Sequence, residues 1–260
     1  PSLTPADGFK ETAALLRQPL DVEGFLQSAN TRHRLSGSPR KGIFFAGTCH
    51  DEADLDNLNE DINEILSAFS IQNFNLPEID TGVEINQKKC AQCLTCIRIC
   101  PHSAIIINEK SRPQIVPDAC FSCHLCVSNC PAYAIESKTL TNDQIALKVE
   151  KDKVTILACE RSAALAAGPL SLPDHINLIP IPCACRISSD VILKALLNGP
   201  SKVIVSGCHQ ENCRSFDGSF VADASIKKVL QIPGIQASKV MWKTIAANET
   251  KKFENIISKA

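Results

Sequence analysis

Short apolar runs rich in β-formers alternate with helical stretches over residues 150–260. This alternation is typical of an α/β domain, because each parallel strand needs a crossover helix to reach the next one. The predicted strands are Val154–Ala158, Ile176–Ile181, Lys202–Ser206 and Lys239–Thr244. The predicted helices are Ser188–Asn198, Ser219–Gln231 and Asn248–Lys259.

The first 75 residues follow a different pattern. A helix is predicted near Gly8–Arg17, an apolar strand over Gly42–Ala46 and an acidic helix from Asp51 to Ser70, with a turn at Gly47-Thr48 before the acidic helix. Between these two regions, residues 76–143 carry an internal repeat. We therefore expect three domains, over residues 1–75, 76–143 and 150–260.

Composition narrows the classes of protein. The net charge is −1 in 260 residues, which gives no electrostatic reason to expect a nucleic-acid partner. No apolar run approaches the roughly 20 residues that span a bilayer. The 14 cysteines are the outlying number. Because they occur in tight C-x-x-C runs without a secretory signal, they predict metal ligation in a reducing, cytoplasmic compartment.

The internal repeat is a cysteine motif. Residues 90–105 and 120–135 each read C-x2-C-x2-C-x3-C-P, thirty residues apart, the pattern of a bacterial ferredoxin with two [4Fe–4S] clusters. In that pattern the fourth cysteine of each run ligates the other cluster. The predicted ligands are Cys90, Cys93, Cys96 and Cys130 for the first cluster, and Cys120, Cys123, Cys126 and Cys100 for the second.

Two zinc sites are the alternative for this motif. Zinc modules usually bring together two separated C-x-x-C pairs around one ion, whereas here two identical four-cysteine runs each end in proline. Clusters are therefore favoured. His102, His124 and Tyr133 also lie in the repeats, but the cysteines already supply every iron with a ligand, so we interpret them as packing or hydrogen-bonding groups.

A second set of cysteines falls at the predicted strand ends. Cys159, Cys183 and Cys208 follow the first three strands of the α/β domain, and Cys213 lies in the next loop. Ligands of open parallel sheets bind at the carboxyl ends of the strands, near the switch point. Four such cysteines favour a metal site over simple burial, although their spacing does not separate zinc from [2Fe–2S]. Cys185 is a spare thiol or an alternative ligand, and His209 a loop histidine.

The same region resembles a known family. The runs Ile181-Pro-Cys-Ala-Cys-Arg-Ile187 and Val203-Ile-Val-Ser-Gly-Cys-His-Gln-Glu-Asn-Cys213 are similar to the iron–sulfur (delta) subunit of methyl-viologen-reducing hydrogenases. The resemblance implies a [2Fe–2S] cluster on Cys159, Cys183, Cys208 and Cys213. This chain departs from the family at Ser162, where a second cysteine is usual, and at Cys185, where glycine is usual.

The N-terminal region resembles another family. Gly24-Phe25 and Arg40-Lys-Gly-Ile-Phe-Phe-Ala-Gly-Thr-Cys49 are similar to the end of the flavin domain in the A subunit of heterodisulfide reductases. The resemblance implies a partial flavin site at Gly47 and Thr48. Because no G-x-G-x-x-G occurs in the chain, FAD is expected only together with a partner chain. The order of the three regions also resembles the end of a subunit of quinone-interacting oxidoreductases.

Taken together, the sequence predicts an α+β and α/β multidomain protein, with a ferredoxin module followed by a parallel-sheet domain. Its expected role is electron transfer in a heterodisulfide-reductase-like complex, without catalysis of its own. The expected partners are a flavoprotein A-type subunit and a hydrogenase, a formate dehydrogenase or a quinone-reducing protein, which would supply any membrane association. Two alternatives stay open: an adaptor with a zinc site, and a reductase that uses the thiol of Cys185 or Cys49.

Overall fold

The computed structural model describes residues 4–29, 36–39, 43–50, 55–72 and 81–259. The chain divides into two compact units. The first contains Pro1–Asp80, His102–Ala104 and Val116–Phe121, and the second contains Thr81–Pro101, Ile105–Ile115 and Ser122–Ala260.

The first unit contains two helices and a small core. Helix α1 covers Phe9–Leu15 and α2 covers Leu55–Gln72, so both predicted helices are confirmed within the described residues, whereas positions 51–54 lie outside them. The core consists of Ala13, Leu26 and Phe45 with partly buried apolar neighbours.

The strand predicted over Gly42–Ala46 is wrong for the residues that the structure describes. Phe44 forms one isolated antiparallel bridge with Gly37, and no longer ladder includes residues 43–46. The apolar character of this run is satisfied by burial of Phe45 in the small core. Apolar residues therefore predicted burial correctly, but a strand also needs a neighbouring strand to accept its hydrogen bonds.

The second unit begins with the cysteine repeat, which forms short elements. Val83 pairs with Ser137 and Ile85 with Ile135 in an antiparallel ribbon. A second antiparallel ribbon pairs Ile105 with Ile115. The elements are β1 (Val83–Ile85), α3 (Thr95–Ile99), β2 (Ile105–Ile107), β3 (Pro113–Ile115), α4 (Leu125–Ser128), β4 (Ile135–Ser137) and α5 (Asn142–Leu147).

The remaining elements form the predicted α/β domain. All four predicted strands are confirmed to within one residue, and they form one parallel sheet. Ile176–Ile181 and Lys202–Gly207 lie on either side of Val154–Cys159, and Val240–Thr244 lies beside Lys202–Gly207. The elements are β5 (Val154–Cys159), α6 (Ala163–Ala167), β6 (Ile176–Ile181), α7 (Ser189–Leu197), β7 (Lys202–Gly207), α8 (Gly218–Leu230), β8 (Val240–Thr244) and α9 (Thr250–Ser258).

Helices cover both faces of this sheet. Alternate residues of a strand point to opposite faces, so Leu157 belongs to one core and Ile156 to the other. Helices α5, α7 and α8 supply side chains to the first core, and α6 and α9 to the second. The first core also includes Cys123 and Leu125, so the second half of the cysteine repeat packs on the sheet domain within one continuous core.

A capping box begins α5, which links the cysteine repeat to the sheet domain. The Thr141 hydroxyl accepts a hydrogen bond from the Gln144 amide at 3.1 Å, and the Gln144 side chain accepts one from the Thr141 amide at 2.8 Å. We expect Thr141→Ala to lower the free energy of unfolding by about 1 kcal/mol, because it leaves a helix N–H without an acceptor. Urea denaturation followed by circular dichroism measures the change, and Thr141→Ser, which keeps the cap, is the control. Equal stability of both variants would contradict the role of the cap.

Candidate metal centres

The strand-end cysteines meet at the carboxyl edge of the parallel sheet. Cys159 is the last residue of β5, Cys208 follows β7, and Cys183 lies two residues after β6. After β5 the chain forms β6 on one side of β5 and then crosses to form β7 on the other side. The carboxyl end of β5 is therefore the switch point, where open α/β sheets bind ligands. Sequence order places these residues up to 54 positions apart, from Cys159 to Cys213.

The four thiols form a closed ring of contacts. Cys159 hydrogen-bonds with Cys183 and Cys208, and Cys213 with the same two thiols. These contacts lower the pKa of Cys159 and Cys213, because Cys183 and then Cys208 stabilise their thiolates. They raise the pKa of Cys183 and Cys208, whose contacts with Cys159 are the largest cause.

The surroundings of the ring leave little space. A Cβ atom on Gly218, the first residue of α8, would lie 3.0 Å from the Cys213 Sγ and 3.1 Å from the Cys183 Sγ, closer than ordinary van der Waals contact. The Ser219 hydroxyl donates to the Cys208 carbonyl at 2.7 Å. Ser162 stands where the resembled family has a second cysteine, and its hydroxyl lowers the pKa of Cys159 and Cys208.

This donor set fits a group that is ligated by thiolates. All four thiols are buried and adjoin one another. Across the described ranges, no group of three or more His, Cys, Asp or Glu side chains has the geometry to hold a single metal ion. Both a zinc ion and an iron–sulfur cluster use such thiolate ligands.

The cysteine repeat shows its own backbone geometry. Three pairs of residues thirty positions apart have positive φ angles: Gln92 and Ser122, Leu94 and His124, and Ser103 and Tyr133. Residues other than glycine rarely adopt this conformation, and it costs about 1–3 kcal/mol where surrounding structure enforces it. Alternation of right- and left-handed residues turns successive amide N–H groups to one side, which is a recurring arrangement at iron–sulfur sites. The sequence does not indicate these left-handed positions, because none of them is glycine, the residue that usually marks a positive φ.

The structure brings together the four cysteines predicted to ligate the first cluster. The pKa of the Cys96 thiol is raised by burial, and also by the charges of Cys130, Cys90 and Cys93. The Ala134 amide donates to the Cys130 Sγ at 3.2 Å, and the Cys93 thiol donates to the Thr95 hydroxyl at 3.3 Å. The bond from Ala134 to the Cys130 sulfur would raise the reduction potential of a cluster held there, because it stabilises negative charge. Ligation by this set remains a prediction.

The predicted ligands of the second cluster are, as a group, less exposed than those of the first cluster. Cys100 and Cys123 are buried, whereas Cys120 and Cys126 are half-buried. Cys120 belongs to the first unit and follows a 3-10 turn over Pro117–Ala119. Ligation by this set also remains a prediction.

Cys185 joins the two groups of cysteines. Its thiol donates to the Cys123 carbonyl at 3.2 Å and also hydrogen-bonds with the thiols of Cys123 and Cys183. Cys185 lies in a 3-10 turn over Ala184–Arg186. The Ser128 hydroxyl donates to the Cys185 carbonyl at 2.6 Å and so holds α4 against this turn. A single side chain therefore contacts a predicted ligand of the second cubane and a member of the C-terminal ring.

The histidines near the cysteines have other contacts. His102 is buried and stacks on Phe121 with ring centroids 4.1 Å apart. Burial, and then the charge of Arg186, lowers the pKa of His124 to about 4, so it is neutral near pH 7. His209 pairs with Glu249 through its Nε2 atom at 2.8 Å. Tyr133 is exposed.

The residues predicted for a partial flavin site lie at a turn of the first unit. The Gly47 amide donates to the Asp61 carboxylate at 2.9 Å, and the His50 Nε2 is 3.1 Å from the same oxygen. Thr48 begins the turn that follows. Since the Asp61 carboxylate accepts the Gly47 N–H, this N–H is not available to a phosphate group. The assignment of Gly47 and Thr48 stays a prediction.

These features agree with those of an iron–sulfur protein, and known protein families match both cysteine-rich regions. The family model described as "Methyl-viologen-reducing hydrogenase, delta subunit" matches residues 154–260, and a 4Fe–4S dicluster domain model matches residues 89–134. The iron–sulfur D subunit of an F420-non-reducing hydrogenase from Archaeoglobus profundus is 33% identical over 105 residues, which are 38% of this chain and 77% of that protein. The chain belongs, through residues 154–260, to the methyl-viologen-reducing hydrogenase delta-subunit family.

The similarity to heterodisulfide reductases covers more of the chain, at a lower sequence identity. The A subunit of a ferredoxin:CoB-CoM heterodisulfide reductase from Methanosarcina mazei is 24% identical over 272 residues, covering 97% of this chain and 34% of the relative. A second protein of this kind, from Methanosarcina acetivorans and described as ferredoxin/F420H2-dependent, is 25% identical over the same length. The chain thus spans about a third of the length of these relatives.

Proposed function

We propose that this chain relays electrons inside a heterodisulfide-reductase-like complex, between a partner redox site and two cubane clusters, through a [2Fe–2S] cluster on the C-terminal ring. The observation that carries the proposal is the contact of Cys185 with both Cys123 and Cys183. It supports a relay because the two predicted cluster sites then share one buried side chain. The relatives' names, which describe heterodisulfide reductase and hydrogenase subunits, support the same class of complex.

In this relay the protein residues would bind the clusters and exclude water from their sulfurs. When bound, the clusters supply one-electron chemistry. Cys159, Cys183, Cys208 and Cys213 would hold the C-terminal cluster, and the eight cysteines of the repeat would hold the cubanes. Ile105 and Ile135 are buried beside Cys96 and exclude water from its sulfur. The Ala134 amide stabilises negative charge on Cys130. Among the described helices, none is both long and apolar enough to cross a membrane.

Two observations disfavour a thiol-active reductase. The Cys185 side chain is 0% exposed, so a substrate cannot reach it. Burial is the largest cause that raises the pKa of Cys49, whose thiol donates to the Ala46 carbonyl at 3.4 Å, and a thiol with a raised pKa is a weaker nucleophile near pH 7.

Metal and sulfide analysis of anaerobically purified protein tests the proposal. We expect about ten irons per chain, because two cubanes and one [2Fe–2S] cluster together require that number. Electron paramagnetic resonance of the reduced protein should show both cluster types. A result of about eight irons and one zinc would contradict the relay and favour the adaptor with a zinc site.

A further inference from the structure

Arg186 is a buried cation that follows Cys185 in the chain. It ends the 3-10 turn that contains Cys185, and only 1% of its surface is exposed. Arginine is rarely buried to this extent unless it is paired, because removal of a charge from water is costly.

The protein satisfies one end of this guanidinium. Its Nη2 donates to the Leu140 carbonyl at 2.9 Å and to the Asn142 Oδ1 at 2.6 Å. The Asn142 amide in turn donates to Asp190 at 2.7 Å. Leu140 and Asn142 lie on the segment that joins the cysteine repeat to the sheet domain, so this end of the side chain holds the two parts of the second unit together.

The other two guanidinium nitrogens, Nε and Nη1, are buried, and no hydrogen-bond partner for either occurs among the residues that the structure describes. Buried donors of a charged group are seldom left in this state, because each loses its bond to water without replacement. Burial lowers the pKa of Arg186, and the ionisable groups of Asp190, Cys185 and Cys126 act in the opposite direction. One of these, Cys126, is a predicted ligand of the second cubane.

We propose that Arg186 raises the reduction potential of the cluster held by Cys123 and Cys126, through its buried positive charge and a hydrogen bond from Nε or Nη1 to a sulfur of that cluster. The proposal rests on the proposed function, since it requires that these cysteines hold a cluster. A fixed positive charge and an N–H donor favour the reduced state, which carries one more negative charge. Arg186 thereby sets the potential of the cubane that lies next to Cys185 and the C-terminal ring.

The test is a redox titration followed by electron paramagnetic resonance on the whole chain, with Arg186→Met and Arg186→Lys. In Arg186→Met one cubane should become harder to reduce, and its ratio of reduced to oxidised form at a fixed potential should fall at least tenfold, or about 59 mV for one electron. Arg186→Lys keeps the charge but not the planar fork of donors, so we expect a fall of about threefold. The other cubane and the C-terminal centre should change less.

Controls separate this role from a structural one. Arg98→Gln removes an exposed charge that acts on Cys93, and solvent screening should keep its shift below about twofold. Full iron content with unchanged potentials in Arg186→Met would overturn the inference. If Arg186→Met fails to fold, an unchanged potential in Arg186→Lys would overturn it. Absence of a second cubane from the unmodified chain would instead contradict the proposed function.

Discussion

Cys130→Ala is expected to remove the first cubane, not the second, although Cys130 lies in the second cysteine run. The fourth cysteine of each run is predicted to ligate the other cluster, and the structure supports this for Cys130, whose charge acts on Cys96 together with those of Cys90 and Cys93. Loss of one thiolate leaves an iron of the cluster without a ligand, so we expect the loss of about four irons per chain. Iron analysis and electron paramagnetic resonance measure the loss.

Double variants identify which cluster is lost. Cys130→Ala combined with Cys93→Ala should lose no more iron than Cys130→Ala, because both residues would serve one cluster. Cys130→Ala combined with Cys123→Ala should lose about eight irons, because two clusters are removed. Cys49→Ser is a control, since this thiol is not a predicted ligand. The opposite pattern in the two double variants would show that each run holds its own cluster.

Gly218→Ala is expected to abolish metal binding at the C-terminal ring while leaving the cubanes intact. The added Cβ would lie 3.0 Å from the Cys213 Sγ, 3.1 Å from the Cys183 Sγ and 3.3 Å from the Ser215 Cβ. Two ligand sulfurs would therefore have to move, and the buried ring has little space for them. Alanine favours a helix over glycine by about 1 kcal/mol, so a loss of metal cannot be attributed to a weaker α8.

Metal analysis, together with electron paramagnetic resonance spectra of the reduced protein, tests this prediction. We expect about eight irons to remain, with the spectra of both cubanes unchanged. Gly168→Ala at the end of α6 is the control, because its Cβ would approach only the Leu165 and Ala164 carbonyls, and we expect full metal content. Retention of about ten irons in Gly218→Ala would mean that the C-terminal cluster is not held by Cys183 and Cys213.

Much of the fold could be predicted from the sequence because it follows from local patterns. The strand Val154–Cys159 is apolar except for Thr155 and is buried throughout, as expected of a parallel strand covered on both faces. The acidic stretch from Asp51 to Ser70 predicts the helix that the structure describes over Leu55–Gln72. The error at Gly42–Ala46 arose because local pattern shows that a segment is apolar, and not whether another strand lies beside it.

The candidate sites divide in the same way. Spacing in the chain predicted the cubane ligands, since C-x2-C-x2-C places three thiols within one loop. Strand ends predicted that Cys159, Cys183 and Cys208 would meet, because the carboxyl ends of parallel strands share one edge. The left-handed residues such as Leu94 and His124 could not be predicted, since their backbone is imposed by the loop and not by residue type.

The sequence by itself determined the chemistry of the cysteine motifs, the α/β architecture and the convergence of the strand-end thiols. Only the tertiary structure decided that Cys185 lies between the two sets and that Arg186 is buried with two donors unpaired. The physical reason is that these contacts join residues 44 to 62 positions apart in the chain, through a turn that packs on α4 and on the sheet. No local pattern encodes such a contact, because it depends on how complete elements pack around one core.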